Sequence, residues 1–305
     1  MHRARIGLCF FFLFQCALSA FADESSTPLD SSVPAEGRLT KAANIFAGSL
    51  FDIPKDVKDI TLYPFDNRKT TGLFLLGISG LVAVDKPVTT YYQDHVEKAF
   101  QGYRLATPAV MRNSGFYGSD AYLLLGLAGT YLGGVSFNDE HSQHAALLAT
   151  KAMGYSFVYS QLILKSLTGR KRPVPDLSKA AGDSGPYTTD PYSFGHFHAP
   201  AFTDAQFGTS MPSFHVTMYF AVARVFQQEY DNYAVPYSLA AVAFAANIRS
   251  HHHWVSDMVA GSLIGTMIGS QVSENGKAHH VEDDGYILLP IVTSDTVALT
   301  LYRSF

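Results

Sequence analysis

Between residues 174 and 208 the apolar periodicity that marks most of this chain gives way to a stretch of about 35 residues carrying Pro175, Pro186, Pro191 and Pro200 among many Gly, Asp, Ser and Tyr. Ordinary connections run ~4–6 residues, so a break of this length is a functional cover or has no order of its own. Tyr187, Tyr192, Phe194, His196, Phe197 and His198 fall inside it and favour an ordered flap over a site. On either side the pattern is helical, at 38–50, 88–100, 107–112, 121–132, 140–167, 212–230, 235–249 and 255–272. A polar stretch at 50–69, punctuated by Pro54 and Pro64, reads as short helices and turns. The apolar segment 72–84 is too short for a comfortable membrane span and reads as a buried helix. Gly126, Gly129, Gly133 and Gly134 offer places where helices could approach closely. After a polar turn, 286–292 and 296–302 read as two strands around Ser294 and Asp295. The expected fold is all-α, a compact multi-helix bundle with a small C-terminal β-hairpin; one hairpin cannot close a barrel.

Formal charge narrows the partners. The chain carries −4, with no basic patch of the kind that binds nucleic acid, and that class is excluded. Met1 to Arg5 is a short basic head, 6–18 an apolar run, and Ala20-Phe21-Ala22 a small-residue cleavage pattern, so residues 1–22 read as a secretory signal peptide. Residues 23–37 read as a flexible leader, 38–272 as the helical domain, and 273–305 as the turn and hairpin. Both cysteines, Cys9 and Cys16, lie in the signal segment. A processed chain would have no disulfide, thiolate metal site or cysteine nucleophile, and would be secreted across the inner membrane, to the periplasm or to a membrane surface there.

Chemistry concentrates in three places. Lys165 and Arg172 are seven apart, two helical turns, with Pro173 to stop the helix; a guanidinium fork and an ammonium presented together suit a phosphate dianion. Thr209 or Ser210 could cap a helix with Pro212 in its first turn, leaving backbone N–H groups around Ser213 and Phe214 for an anion. His215, one turn inward, could donate a proton to a leaving oxygen. His253 and Asp257 stand four apart, a spacing that puts both on one helical face; the carboxylate would take the Nδ1 proton and leave Nε2 outward as a base or nucleophile.

Read together, Lys-x6-Arg-Pro, Pro-Ser-x-His and His-x3-Asp resemble the three-part signature of the type 2 phosphatidic acid phosphatase superfamily, which also holds bacterial acid phosphatases and vanadium haloperoxidases. The resemblance spans Lys165 to Asp257 and implies a metal-independent phosphatase with no cofactor. It implies that Lys165, Arg172 and Ser213 hold phosphate, that His215 is the general acid, His253 the nucleophile that becomes phosphohistidine, and Asp257 its orienting partner. The substrate would be a phosphorylated small molecule or a lipid phosphate or diphosphate. Two positions depart from the pattern: Phe214 stands where the family has glycine, and Asn247 where it has a third arginine. On a helix continuous with His253, Arg249 would share the face of His253 and Asp257 and could replace that cation. Two alternatives follow from the same scaffold, a vanadium-dependent haloperoxidase and a non-catalytic phosphate-binding protein. The histidine tract 251–253 and the pairs His141/His144 and His196/His198 read as non-metal, because no acid or cysteine cluster accompanies them.

Overall fold

The computed structural model describes residues 35–100, 102–200, 207–248, 252–279, 286–292 and 297–303. The signal segment and Arg249 lie outside them. Helix α1 spans Ala35–Phe51, α2 Ile53–Asp66, α3 Arg68–Ala83 and α4 Asp85–Tyr92, which continues as a π-turn over Gln93–Glu97. After a short 3-10 turn at Ala109–Met111 come α5, Gly118–Phe137, and α6, which begins as Glu140–Ser156, loosens to a π-helix over Phe157–Leu164 and closes as Lys165–Thr168. Helices α7, Phe214–Tyr230, α8, Ala234–Asn247, and α9, Val255–His279, complete the bundle. Strands β1, Arg172–Pro173, and β2, Tyr187–Thr188, pair in parallel. Strands β3, Tyr286–Val292, and β4, Val297–Arg303, form the expected antiparallel hairpin.

Local chemistry sets the helix ends. Asn138 takes a left-handed conformation (φ 55°) that stops α5, and Asp139 then accepts from the Ser142 N–H to start α6. A two-residue joint of this kind turns the chain back on itself, so α5 and α6 pack antiparallel. The main core lies among α5, α6, α7 and α9, with Leu127, Leu148, Met153, Met218, Val222, Val225, Ile268 and Val272 buried. At one end of the bundle, Lys151 of α6 lies 2.9 Å from Asp56 and 3.5 Å from Asp52, which ties α1 and α2 to the core.

The closest helix contact depends on glycines other than those the sequence suggested. Gly261, Gly265 and Gly269 recur every fourth residue along α9 and face the backbone of α7. A Cβ on Gly261 would come within 2.7 Å of the Ser213 carbonyl, and Cβ atoms on Gly265 and Gly269 would overlap the carbonyls of Thr217 and Ala221. Of the four α5 glycines that the sequence suggested, Gly126, Gly129 and Gly133 have open space where a side chain would stand; Gly134 alone is packed, against Gln143 and Asp139. The reading of that row as a packing seam is therefore corrected: three of its four members border empty space.

The segment 72–84 is also not buried. It lies in α3, where Val82 is the buried residue and Leu73, Leu75 and Leu76 are 64–71% exposed. A continuous apolar run is equally compatible with a core helix and with an exposed helix face, and among the described residues it is the second. No single described helix is long and apolar enough to cross a membrane; α3 and α4 pass only as a pair bent by 73°. The polar stretch 50–69 forms a longer element than expected, since α2 runs through Pro64 to Asp66.

The glycine seam yields a paired prediction. Gly265→Ala, pressed against backbone that cannot yield, lowers unfolding free energy by about 1–3 kcal/mol, whereas Gly133→Ala, in open space, is neutral or stabilising by up to ~1 kcal/mol. Urea unfolding of both variants measures the difference.

Candidate active site

Helix α6 delivers Lys165, fully buried in its last turn, with Nζ 2.6 Å from Gln161 Oε1. The helix then ends at Gly169 in a left-handed turn (φ 53°), where any Cβ would meet the His196 backbone at 2.5 Å. Lys165 and Arg172 are thus not two turns apart on one helix, as their spacing suggested. Arg172 lies beyond the helix on β1, after the left-handed turn at Gly169 has redirected the chain. Its Nη2 donates to Thr209 O at 3.0 Å and its Nε to Thr209 Oγ1 at 3.3 Å, while Nη1 lies 3.4 Å from His253 Nε2.

The second segment starts α7 later than expected. Ser213, not Thr209 or Ser210, is the N-cap, and Pro212 stands outside the helix. The Ser213 N–H is occupied by Asp257 O at 3.0 Å, and the first intrahelical bond is Thr217 N–H to Ser213 O. The N–H groups of Phe214, His215 and Val216 precede that bond and form the positive end of the helix. The Phe214 ring turns aside and packs edge-on against Phe157, centroids 5.7 Å apart. His215 Nε2 lies 3.1 Å from Asp120 Oδ2 of α5.

The third segment differs most from the helical face that its spacing implied. His252, His253 and Trp254 carry no helix, so the continuous helix expected from Arg249 to Asp257 is not formed. Helix α9 begins at Val255, and Asp257 in its first turn reaches back to accept the Trp254 N–H at 3.0 Å, as in a capping box. His253 Nδ1 is 3.7 Å from the same oxygen, Oδ2, which also accepts from Ser210 Oγ at 2.5 Å.

Behind Asp257 stands a residue that the motif reading passed over. Arg170 is wholly buried; its Nη1 donates to Asp257 Oδ1 at 2.7 Å and to Ser256 Oγ at 2.6 Å, and its Nη2 to Asp85 Oδ2 at 2.8 Å. Asp85 also accepts from the Ser256 N–H at 3.1 Å and from the Ser256 hydroxyl. Pro191 O accepts from Arg170, and the Phe194 and Trp254 rings lie 4.7 and 5.2 Å from its guanidinium carbon. The described part of the long loop therefore braces the back of the site: Ser193 O accepts from the Lys171 N–H and Gly169 O from the His196 N–H. Arg170 was visible within the basic run 170–172, but Asp85 has no local signal at all.

Asp120 was equally unannounced. With it goes a second network: Tyr219 donates to Asp120 Oδ1 at 3.2 Å and contacts Ser119 Oγ at 2.9 Å, and Asn247 Nδ2 donates to Ser119 Oγ at 2.6 Å and to the Tyr219 oxygen. Burial, reinforced by Asp120, raises the Tyr219 phenol far above its usual range, so it remains a donor.

These surroundings set protonation. Burial, assisted by the Arg172 charge and opposed by Asp257, pushes His253 down to about 4. Its imidazole is neutral near pH 7. Because a guanidinium can only donate, the Arg172 contact leaves Nε2 as the lone-pair nitrogen and the proton on Nδ1, towards Asp257. Burial alone would raise Asp257, but the Arg170 guanidinium, the His253 ring and the Ser210 hydroxyl outweigh it and hold the carboxyl at about 2.

Among the described residues no group of three or more His, Cys, Asp or Glu could hold a metal ion. His141 and His144 face Glu229 at 3.6 and 3.9 Å, His196 contacts Ser193, and His198 contacts Ala199 O.

A family model, the PAP2 superfamily, matches residues 140–274, the segment that contains all three motifs. Over those residues the chain is similar to the PAP2 superfamily. A lipid A 1-phosphatase of Porphyromonas gingivalis (strain ATCC 33277) is 30% identical over 136 residues, 43% of this chain and 29% of the relative. The chain thus spans less than a third of that protein's length. No solved structure matches.

Removing the central cation tests the buried arrangement. Arg170→Met leaves Asp85 and Asp257 buried without it, a loss of about 3–5 kcal/mol. Because a depressed Asp257 pKa contributes stability that is present above about 4 and lost as pH falls through about 2, the acid-unfolding midpoint of Arg170→Met moves to higher pH. Circular dichroism against pH reads both.

Proposed function

We propose that the chain is a metal-independent phosphatase that releases phosphate from lipid phosphates or other monoesters through a phosphohistidine intermediate. The observation that carries this reading is the neutral His253 imidazole, with Nε2 turned to Arg172 and Nδ1 to Asp257. Lys165, Arg172, the Ser213 hydroxyl and the N–H groups of Phe214 and His215 would hold the phosphoryl oxygens, supplying the charge stabilisation that this reaction demands. Nε2 attacks phosphorus, the ester P–O bond breaks, and His215 gives its proton to the departing oxygen. Water then attacks the phosphohistidine, His215 takes its proton, and inorganic phosphate leaves. Asp120 beside His215 stabilises the protonated imidazole that enters the first step and is restored by the second, as Asp257 stabilises the charge that develops on His253.

Lipid substrates are favoured by the P. gingivalis relative, whose name places its action on lipid A. The exposed face of α3 points the same way: Leu73, Leu75 and Leu76 suit a bilayer surface, and exposed Arg68 and Lys69 at the start of the helix suit anionic headgroups. Contact with a membrane of the cell envelope agrees with the signal-like residues 1–22. Asn247, at the position of the family arginine, is engaged with Ser119 and Tyr219, so the phosphate charge falls to Lys165 and Arg172, with Arg249 as a further candidate.

His253→Ala is expected to abolish phosphate release with EDTA present or absent. His215→Ala should lose about a hundred- to ten-thousandfold on an alkyl phosphate and far less on p-nitrophenyl phosphate, whose leaving group needs no proton. Equal losses on both would remove the general acid from His215.

The pH profile offers an independent check. With His253 neutral down to about 4, its acid limb in kcat/KM lies there and not near the ordinary histidine value. Arg172→Gln removes a charge that opposes protonation, and the limb moves to higher pH.

A further inference from the structure

An apolar groove of about 680 Å³ runs between α5, α7 and α8, lined by Leu123, Gly126, Val222, Phe226, Leu239 and Ala243 among others. None of the three sequence motifs contributes to it. Its volume lies within the roughly 300–1,000 Å³ of small-molecule sites.

The position of the groove says what it could take. Along α7 its wall is built from Tyr219, Val222, Phe226 and Tyr230, one helical face extending for about 16 Å. Towards His215 the groove presents Tyr219 and Ser119, and both belong to the network that holds Asp120 against His215. Tyr219 is one turn from His215 on the same helix, with ring centroids 6.1 Å apart. The groove therefore begins beside the imidazole that protonates the leaving oxygen and leads away from the phosphate-binding cations. On the outer side its α8 rim, Val235, Leu239 and Val242, is 45–64% exposed, so a chain could enter sideways from an apolar surface.

We propose that this groove is the leaving-group subsite for the alkyl or acyl chain of a lipid phosphate, a reading that rests on the phosphatase assignment above. The headgroup phosphate faces Lys165, Arg172 and His253, the ester oxygen faces His215, and the methylenes lie along Val222 and Phe226. Substrates in which an unbranched chain follows the ester oxygen are preferred over compact polar monoesters. Gly126 supplies the test, because a side chain placed there meets nothing within 4 Å and would project into the groove.

The experiment uses the full chain with n-alkyl phosphates from butyl to dodecyl, alongside binding of a fluorescent fatty-acyl probe to His253→Ala protein. Wild-type kcat/KM should rise tenfold or more across the series, by roughly the hydrophobic gain of burying several methylenes. Gly126→Phe should flatten that rise, lowering dodecyl phosphate far more than butyl phosphate, and in the His253→Ala background should block the probe. A chain-length response that is flat in the wild type, or equally reduced at every length by Gly126→Phe, overturns the subsite and leaves the phosphatase reading intact. Probe binding that Gly126→Phe blocks, with no phosphate released from any ester, supports the groove and overturns the phosphatase reading. A shift of oligomeric state in sedimentation on Gly126→Phe, with chain-length preference retained, assigns the groove to a second copy and also overturns the proposal.

Discussion

One guanidinium between two carboxylates joins the stability of this molecule to its chemistry. Arg170, Asp85 and Asp257 are each fully buried, and they come from the turn after α6 and the first turns of α4 and α9. None of the three could be withdrawn from water alone without a penalty of several kcal/mol, so the elements that carry them close together or not at all. The same pairing keeps Asp257 ionised and pinned, and with it the Nδ1 side of His253. Holding the fold shut and orienting the imidazole are one interaction.

The two histidines are served in parallel ways by parts of the chain that the family match does not cover. The matched segment, 140–274, holds both imidazoles together with Lys165 and Arg172. Their carboxylate support traces to helices before it: His253 through Asp257 and Arg170 to Asp85 on α4, and His215 directly to Asp120 on α5. Helix α5 also forms one wall of the apolar groove. The N-terminal helices thus supply the carboxylates that stand behind both imidazoles and one wall of the groove.

Burial penalises charge on both paired groups, yet their protonation states differ. It disfavours charge on His253, which keeps that ring neutral, and it would disfavour charge on Asp257 too, were Arg170 not beside it. Neither state could be assigned from the spacing of His253 and Asp257, because the deciding charges come from residues 81 and 87 positions away. The π-helical stretch in α6 adds a geometric contribution by changing the phase at which Lys165 is delivered relative to the rest of that helix.

What the sequence determined by itself was the inventory: helices wherever apolar residues recurred at helical spacing, a terminal hairpin from alternation at 297–301, and three chemical segments in an order shared with the PAP2 superfamily. Spacing along the chain was a poorer guide to geometry. Lys165 and Arg172 share no helix because Gly169 turns the chain between them, and His253 stands ahead of the helix that carries Asp257. The same limit applied to glycine and to apolar runs, since the row on α5 and the row on α9 look alike and 72–84 resembles any core helix. Tertiary structure alone decided which row meets backbone, which apolar face stays exposed, and that Asp85 and Asp120 become partners of the site. The physical reason is that burial and charge pairing are properties of neighbours in space, and a helix pattern records which side is apolar without recording what will cover it.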